Sequence, residues 1–418
     1  MLRDIIYQQK LEYEKKVRER YVHRQYASLN LTSGLIQVII GPRRSGKSFF
    51  GMHQLTVDRS FGYVNFDDER LIAIQDFDEL LRAVAAVYGN PEVLLLDEIQ
   101  NLSQWEIIVN RLQRQGYQLV VTGSNSRLLS RELATHLTGR HQPVYMFTFS
   151  FMEFLATFDK MITEAEKTEL FNDYLSHGGY PEPLMKKLDH KAYLQVLFDS
   201  VLFKDIVKRH RIRYAASLEN LASWMISNIS GELSMNTLAK QTQISSVHTV
   251  KKYLGYLEEA FIFFRLKRFS WKTSSQQSFN QKIYCYDNGF FMAKAFRFSN
   301  DYGKLLENLV AIELIKRSLY DQSKVFFWKN KEQEEVDFVI QRGTKITELI
   351  QVCWDPNANR TRQREIRALL KASQDLKCNN LTVITHNEHS REKASWYGMK
   401  GEVTFIPAVK WLTEPFTE

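Results

Sequence analysis

The chain has 418 residues, a length that predicts about three domains rather than one. Its hydrophobic fraction of 44%, with 27 Phe, 19 Tyr and 7 Trp, excludes intrinsic disorder as its main state. The net charge of +8 is a modest basic surplus over a long chain, which permits contacts with nucleic acid or anionic surfaces but requires none.

The cysteines, the N-terminal sequence and the length of the apolar runs together indicate the cellular compartment. Cys285, Cys353 and Cys378 form no CxxC pair, which excludes a disulfide framework and a zinc ribbon. The charged N-terminus lacks the apolar region of a signal peptide, and no apolar run approaches the roughly 18 residues that span a bilayer. We therefore expect a soluble, cytoplasmic protein with no membrane partner.

The first 150 residues alternate between strand and helix patterns. Residues 1–30 contain no Gly or Pro and predict a helix laid against the following domain. Short apolar runs with helical segments between them predict a parallel α/β sheet that is covered by helices on both faces. These runs are 35–40, 62–67, 92–97, 117–124 and 143–149.

The segment GPRRSGKS (41–48) fits the pattern G-x-x-x-x-G-K-[ST] between a predicted strand and a predicted helix. A chance Gly/Lys turn would not need these flanks. Such a loop turns backbone N–H groups toward a β-phosphate, and we expect Lys47 to reach the β- and γ-phosphates and Ser48 to coordinate Mg²⁺. The predicted nucleotide-binding residues are Gly41, Pro42, Arg43, Arg44, Ser45, Gly46, Lys47, Ser48 and Phe49.

The segment EVLLLDEIQN (92–101) is an apolar strand that ends in two carboxylates. Ligands of open α/β sheets bind at the carboxyl ends of the strands, so Asp97 should lie beside the loop. We predict that Asp97 holds the Mg²⁺ shell and that Glu98 orients or deprotonates the attacking water. The alternative is that both acids cap a helix starting near Ile99.

Polar residues also follow the next strand. Thr122, Ser124 and Asn125 could touch the γ-phosphate or the attacking water, or Ser124 or Asn125 could cap a helix. Arg140 precedes the last strand of this region. It could stabilise the transferring phosphate, in cis or from a neighbouring subunit, or could pair with a surface carboxylate.

Residues 216–268 have the order of a winged helix-turn-helix, with helices at 218–229, around 235–241 and from about Ser246. The predicted DNA-contacting residues are His248, Thr249, Lys251 and Lys252 on the third helix and Arg268 beside the wing. A protein-interaction module, or one that transmits nucleotide state, is the alternative.

Several segments together resemble a known group. They are GPRRSGKS, YVNFDDERL, LLLDEIQN, VVTGSNSRLL and LTGRHQPVYMFTFSFMEFL, followed by YLSHGGYPEPL, KIYCYDNGF, GKLLENLVAIEL, EEVDFVIQ and IPAVKWL. Over nearly its whole length the chain resembles the AAA-type P-loop ATPases of bacteria and archaea with a C-terminal restriction-endonuclease-like domain of unassigned role. The resemblance implies adenine specificity and an AAA-type sheet with an extra strand between the two nucleotide motifs.

The resemblance also implies the domain order. The predicted domains are an ATPase domain with an N-terminal helix (1–150), a helical lid or connector (151–215), a winged helix (216–300) and a restriction-endonuclease-like α/β domain (301–418).

A restriction-endonuclease core needs a helix Glu, a strand Asp and a following (D/E)-x-K, which bind Mg²⁺ and activate water. Glu307 and Asp337 match the first two, but the third element reads Gln351-Val352-Cys353. Gln351 supplies no carboxylate and Cys353 no ammonium, and strand alternation places Glu348 on the opposite face. We therefore predict a degenerate nuclease site.

These patterns predict an ATP-binding, Mg²⁺-dependent ATPase that couples nucleotide state to a conformational switch. Double-stranded DNA and further copies of the chain, in a homo-oligomer, are the candidate macromolecular partners. Two alternatives are a non-hydrolysing signalling or interaction scaffold that ATP switches, and a Mg²⁺-dependent nuclease that ATP gates.

Overall fold

The structure, a computed structural model, describes residues 1–56, 60–72, 74, 76–124, 139–294, 301–357 and 359–414. It divides into two compact units, the first of residues 1–149 with 259–261 and the second of residues 150–258 with 262–418. The second unit contains the segments predicted as lid, winged helix and nuclease-like domain. The boundaries at residues 215 and 300 remain predictions.

The first unit is built on a five-stranded, all-parallel sheet in the order β2-β3-β4-β1-β5. Its strands are β1 (Ile36–Ile40), β2 (Phe61–Asn65), β3 (Val93–Asp97), β4 (Gln118–Gly123) and β5 (His141–Tyr145). Its helices are α1 (Leu2–Lys16), α2 (Lys47–Thr56), α3 (Glu69–Ile72), α4 (Phe77–Tyr88) and α5 (Trp105–Arg114). Every residue of β1 and β3 is buried, as expected for strands covered on both faces.

The sheet confirms the predicted α/β fold with an extra strand, because β4 lies between β1, which precedes the phosphate loop, and β3, which ends in the acidic pair. The predicted N-terminal helix is only half correct. Helix α1 ends at Lys16, where the buried apolar positions of its first turns have stopped. Residues 17–30 form no helix. Arg24 in this segment donates instead to the backbone carbonyl oxygens of Ser45 and Phe147.

The second unit begins with helices α6 (Phe151–Leu155), α7 (Glu164–His177), α8 (Pro181–Lys186) and α9 (His190–Ser200), followed by a π-helical segment, Val201–Lys208. Helices α10 (Ala215–Ser227), α11 (Met235–Gln241) and α12 (Val247–Glu259) follow. Strands β6 (Glu232–Leu233), β7 (Phe263–Lys267) and β8 (Gln281–Cys285) form an antiparallel sheet in the order β6-β8-β7. Short helices α13 (Thr273–Ser278) and α14 (Gly289–Lys294) complete this part.

The remainder of the second unit is a mixed six-stranded sheet in the order β13-β14-β12-β11-β10-β9. Its strands are β9 (Lys324–Lys329), β10 (Glu335–Arg342), β11 (Lys345–Cys353), β12 (Leu381–Thr385), β13 (Ser390–Trp396) and β14 (Met399–Pro407). Helices α15 (Tyr302–Asp321), α16 (Asn359–Leu376) and α17 (Ala408–Thr413) accompany it. Among the described residues, no helix is both long and apolar enough to cross a membrane.

Candidate functional site

The phosphate loop lies between β1, which ends at Ile40, and α2, which begins at Lys47. Two of its glycines are required by geometry. A Cβ on Gly41 would lie 1.7 Å from the carbonyl oxygen of Met146, and Gly46 has a φ of +94°, which disfavours other residues. The buried Lys47 Nζ donates to the carbonyl oxygens of Gly41 (3.2 Å) and Pro42 (2.9 Å). Its ammonium group is therefore held against the loop that it is predicted to serve.

Asp97, the first acid of the pair, is joined directly to the loop. Its Oδ1 accepts a hydrogen bond from Ser48 Oγ at 2.7 Å, and its Oδ2 accepts one from Tyr63 OH at 3.0 Å. Thr122 Oγ1 also donates to Oδ1. Burial, and then the neighbouring Glu98 carboxylate, raise the pKa of Asp97.

This arrangement fits Mg²⁺. The hydroxyl oxygen of Ser48 and a carboxylate oxygen of Asp97 lie side by side at the end of the phosphate loop, and oxygen atoms are the ligands that Mg²⁺ prefers. A divalent cation beside the buried Asp97 would also offset the cost that burial places on its charge.

Glu98 has a different environment from Asp97, because it is half-buried and its backbone is in the left-handed region with a φ of +50°. Its N–H donates to Thr122 Oγ1 at 3.0 Å, and its Oε2 accepts from Ser124 Oγ at 3.2 Å and from Gln100 Nε2. A non-glycine residue in this region is strained, and such strain is kept where surrounding bonds impose it. Thr122 and Ser124 thus orient the acids, while the predicted Asn125 lies outside the described residues.

Two residues at this site had no assignment from the sequence. Tyr63 on β2 donates to Asp97, and Arg24 donates to the carbonyl oxygens of Ser45 (3.2 Å) and Phe147 (2.5 Å). Tyr63 lies two residues before the end of β2, which pairs with β3. The sequence does not give this pairing, so it gives only a weak signal that Tyr63 lies near Asp97. Arg24 has no local signal, because its partners are 21 and 123 residues away.

An aromatic cluster lies directly after the loop. The ring centroids of Phe49 and His53 are 4.4 Å apart, and the His53 ring stacks on Tyr21 at 4.3 Å with an interplanar angle of 12°. Burial, and then the charge of His23, lower the pKa of His53, so its ring is neutral at neutral pH. Flat, uncharged rings suit contact with a nucleobase.

The structure does not bring Arg140 to the loop. Its carbonyl accepts from Ile36 N–H, and it immediately precedes β5, which runs parallel to β1 with His141 opposite Ile36. Arg140 therefore lies at the opposite edge of the sheet from the loop, roughly five residues or about 16 Å away along the strand. The prediction of a role in cis is wrong for this reason, whereas a role in a neighbouring subunit stays a prediction.

The predicted nuclease residues Glu307 and Asp337 do come together, around a lysine. Lys282 Nζ on β8 is 2.9 Å from Glu307 Oε1, 3.1 Å from Asp337 Oδ1 and 2.5 Å from Glu335 Oε1. Lys282 is only 3% exposed, and Tyr284 OH also donates to Glu307 at 2.8 Å. We call these five side chains the lysine cluster.

The third predicted element of the nuclease core is close by but has other partners. Gln351 accepts from Asp337 N–H at 3.2 Å and donates to the buried Glu365 of α16. Cys353 is packed in the hydrophobic core, and burial raises the pKa of its thiol to about 11. Glu348 accepts from Thr382 instead of facing the cluster, which agrees with the strand alternation predicted for it.

A divalent cation does not fit the lysine cluster. The Lys282 ammonium lies within hydrogen-bonding distance of all three carboxylates, where a metal ion would have to bind. Burial is the main factor that raises the pKa of Glu307, to about 8, which disfavours the charged form that a metal ligand needs. Within the described part of the chain, no group of three or more His, Cys, Asp or Glu side chains is arranged to hold a metal.

The predicted DNA-contacting residues divide into two groups. His248, Lys251 and Lys252 are exposed on α12, and Thr249 is half-buried beside them. Arg268 is different, because its guanidinium donates to the Lys329 carbonyl and lies 4.3 Å from the centre of the Phe279 ring. The DNA contact of Arg268 stays a prediction, for a side chain whose Nη2 already donates within the fold.

Comparison with known proteins supports an AAA domain. Family models match an AAA domain over residues 33–155, a domain of unknown function (DUF8612) over residues 168–301 and a second (DUF4143) over residues 302–406. The AAA-type prediction is confirmed at this level. The winged-helix and restriction-endonuclease-like assignments stay predictions, because the matching models carry no assigned function.

Relatives extend the likeness to the whole chain. The uncharacterized protein MJ1544 of Methanocaldococcus jannaschii is 34% identical and covers 96% of this chain and 92% of its own length. An uncharacterized protein of Haemophilus influenzae is 31% identical over 74% of this chain and 80% of its own length.

Solved structures give weaker likenesses. The Walker-type ATPase PABY2304 of Pyrococcus abyssi covers 62% of this chain and 90% of its own, with 15% identity and a TM-score of 0.43. The Aeropyrum pernix ORC1 protein, solved in complex with DNA, covers 68% and 88%, with 10% identity and a TM-score of 0.30. Structural likenesses of this strength do not bear on function.

Proposed function

The chain belongs to the family of the archaeal protein MJ1544, and from this membership and its AAA domain we propose that it binds ATP with Mg²⁺ and hydrolyses it. The observation that carries the proposal is the direct bond between the phosphate loop and the acidic pair, Ser48 Oγ to Asp97 Oδ1 at 2.7 Å. Such proximity is what in-line phosphoryl transfer requires, because its catalysis depends on positioning and charge stabilisation.

In the proposed site the loop supplies backbone N–H groups and the Lys47 ammonium to the phosphates. Ser48 and Asp97 hold Mg²⁺, which when bound neutralises charge on the phosphate oxygens. Glu98, oriented by Thr122 and Ser124, accepts a proton from the attacking water. The rings of Phe49, His53 and Tyr21, which lie directly after the loop, are the groups proposed to contact the base.

Replacing Lys47 with Ala tests the binding part of this proposal. We expect the affinity for ATP to fall roughly tenfold to a hundredfold, the value of a charge-assisted hydrogen bond, and phosphate release to fall to background. Fluorescent ATP-analogue titration and a steady-state phosphate assay measure the two effects. Lys15→Ala, an exposed lysine on α1, is the matched control. Unchanged ATP affinity in Lys47→Ala would show that the phosphate loop is not part of the ATP-binding site.

We propose that the lysine cluster performs no phosphodiester hydrolysis, since its ammonium occupies the place of a metal. Supercoiled plasmid incubated with the wild-type protein and Mg²⁺ or Mn²⁺ should remain intact over hours, as measured by gel electrophoresis. Asp337→Ala is the control for trace contamination. Nicking by the wild-type protein that disappears in Asp337→Ala would show that the cluster is a working nuclease site.

For the partner, we propose double-stranded DNA bound at α12. The exposed face of this helix presents His248, Lys251 and Lys252, and a helix preceded by a helix and a turn can enter a major groove. The nucleotide state would then act as a switch on this contact. A non-hydrolysing scaffold and a protein partner are the alternatives. The scaffold would bind ATP without releasing phosphate, and a protein partner would leave α12 without affinity for a DNA duplex.

A further inference from the structure

The basic surplus of the chain is concentrated in one stretch of sequence. Residues 201–272 contain twelve of the 56 Lys and Arg residues but only five of the 48 Asp and Glu residues. This stretch therefore has a net charge of +7, almost the whole of the chain's +8. A local concentration of this kind is the electrostatic footprint of a polyanion site.

Five of these cations lie in residues 204–214, which we call the basic connector. It starts in the π-helical segment Val201–Lys208 and leaves the helix at Arg211, whose φ is +50°. Its exposed cations are Lys204, Lys208, Arg209, Arg211 and Arg213. None of the five forms an ion pair with a described residue, so their charges are available to an external anion.

The basic connector is joined to α12 through a ring contact. The imidazole of His210 stacks on Tyr256 with a centroid distance of 3.6 Å and an interplanar angle of 13°. Lys252 Nζ lies 5.9 Å from the centre of the same Tyr256 ring. The connector is thus held beside the exposed basic side of α12, and the two elements form one positively charged surface.

We infer that the basic connector binds the phosphate backbone of double-stranded DNA beside the groove that α12 enters. This rests on the DNA partner in the proposed function, and it adds a second, sequence-independent contact. The three connector arginines suit phosphate, because a guanidinium donates two parallel hydrogen bonds to its oxygens. A lipid surface fits less well, since Val250, Leu254 and Leu257 of α12 are buried. Phe203 and Tyr214, the exposed large apolar side chains around the connector, stand singly at its two ends and form no continuous strip.

The test measures the salt dependence of binding to a fluorescent DNA duplex of several helical turns. Each phosphate contact contributes about 0.9 to the slope of log affinity against log salt. We expect Arg209→Gln/Arg211→Gln/Arg213→Gln to reduce the slope by about three units, equally for duplexes of unrelated sequence. The matched control is Lys377→Gln/Lys393→Gln/Lys400→Gln, which removes the same charge from exposed positions elsewhere in the second unit.

The outcomes separate this inference from the function on which it rests. An unchanged slope in the connector variant, with weaker binding in Lys251→Gln/Lys252→Gln, overturns the connector contact but leaves DNA binding intact. Salt-insensitive or undetectable binding by the wild-type protein overturns both. Polyglutamate and unlabelled duplex are also compared as competitors at equal concentrations of charge. If polyglutamate displaces the labelled duplex as effectively as unlabelled duplex does, the inference is overturned, and an acidic protein becomes the better partner. Phosphate release without DNA should be unchanged in the connector variant, which separates either failure from that of the ATPase.

Discussion

Glu98→Gln is expected to lower steady-state phosphate release by about 10²–10⁴-fold while leaving ATP binding intact. The amide keeps the shape of the side chain and can still bond with Ser124 and Gln100, but it cannot accept a proton from water. Asp97, Ser48 and Lys47 are untouched by the change, so the groups that bind phosphate and Mg²⁺ remain. Phosphate release and fluorescent ATP-analogue titration, carried out side by side, measure the two halves of the prediction.

The matched control is Glu92→Gln, an exposed glutamate just before β3, at the opposite end of this strand from Glu98. Normal release by Glu98→Gln would exclude Glu98 as the group that activates water. A loss of ATP binding would instead assign it a structural role, for which its φ of +50° gives a reason. Because the variant should hold ATP without turnover, its molecular mass with and without ATP also tests whether the nucleotide drives assembly.

Much of the candidate nucleotide site could be predicted because its signals are local. The phosphate loop requires consecutive residues, and an apolar strand that ends in Asp97 and Glu98 defines its own position at the sheet edge. Tyr63 and Arg24 could not be predicted in this way, since their partners lie on elements far along the chain. Arg140 shows the opposite case, because its residue type suits phosphate but its position before a parallel strand lies at the far end of that strand from the loop.

At the C-terminal site, the fold supplies a residue that the sequence motif lacks. Gln351 and Cys353 supply neither an acid nor an ammonium, and the degenerate nuclease site stays a prediction. The ammonium that meets Glu307 and Asp337, however, comes from Lys282 on β8, within the segment predicted as a separate winged helix. One signal was present, because a lysine followed by three residues of an apolar or aromatic kind in the strand QKIYC must be either exposed or paired.

Lys282→Met is expected to lower the free energy of unfolding of the second unit by about 3–5 kcal/mol, the cost of leaving a buried partner charge without its counterion. Urea unfolding followed by tryptophan fluorescence suits this measurement, because six of the seven tryptophans lie in the second unit. The matched control is Lys186→Ala, which breaks an ion pair with Glu182 whose lysine is 57% exposed. That change should cost less than about 1 kcal/mol.

The pH dependence separates lost charge compensation from lost packing. Since burial raises the pKa of Glu307 from 4.5 to about 8 in the folded chain, its contribution to stability is fully present below pH 4.5 and is lost as the pH rises to 8. Lys282 lowers that pKa, so in Lys282→Met the window should extend above pH 8 and the destabilisation should grow with pH. Adding Glu307→Gln and Asp337→Asn should restore much of the stability, because the one carboxylate left in the cluster, Glu335, still has Lys329 at 3.7 Å. A destabilisation that is independent of pH and not rescued by these changes would mean that Lys282 acts through packing alone.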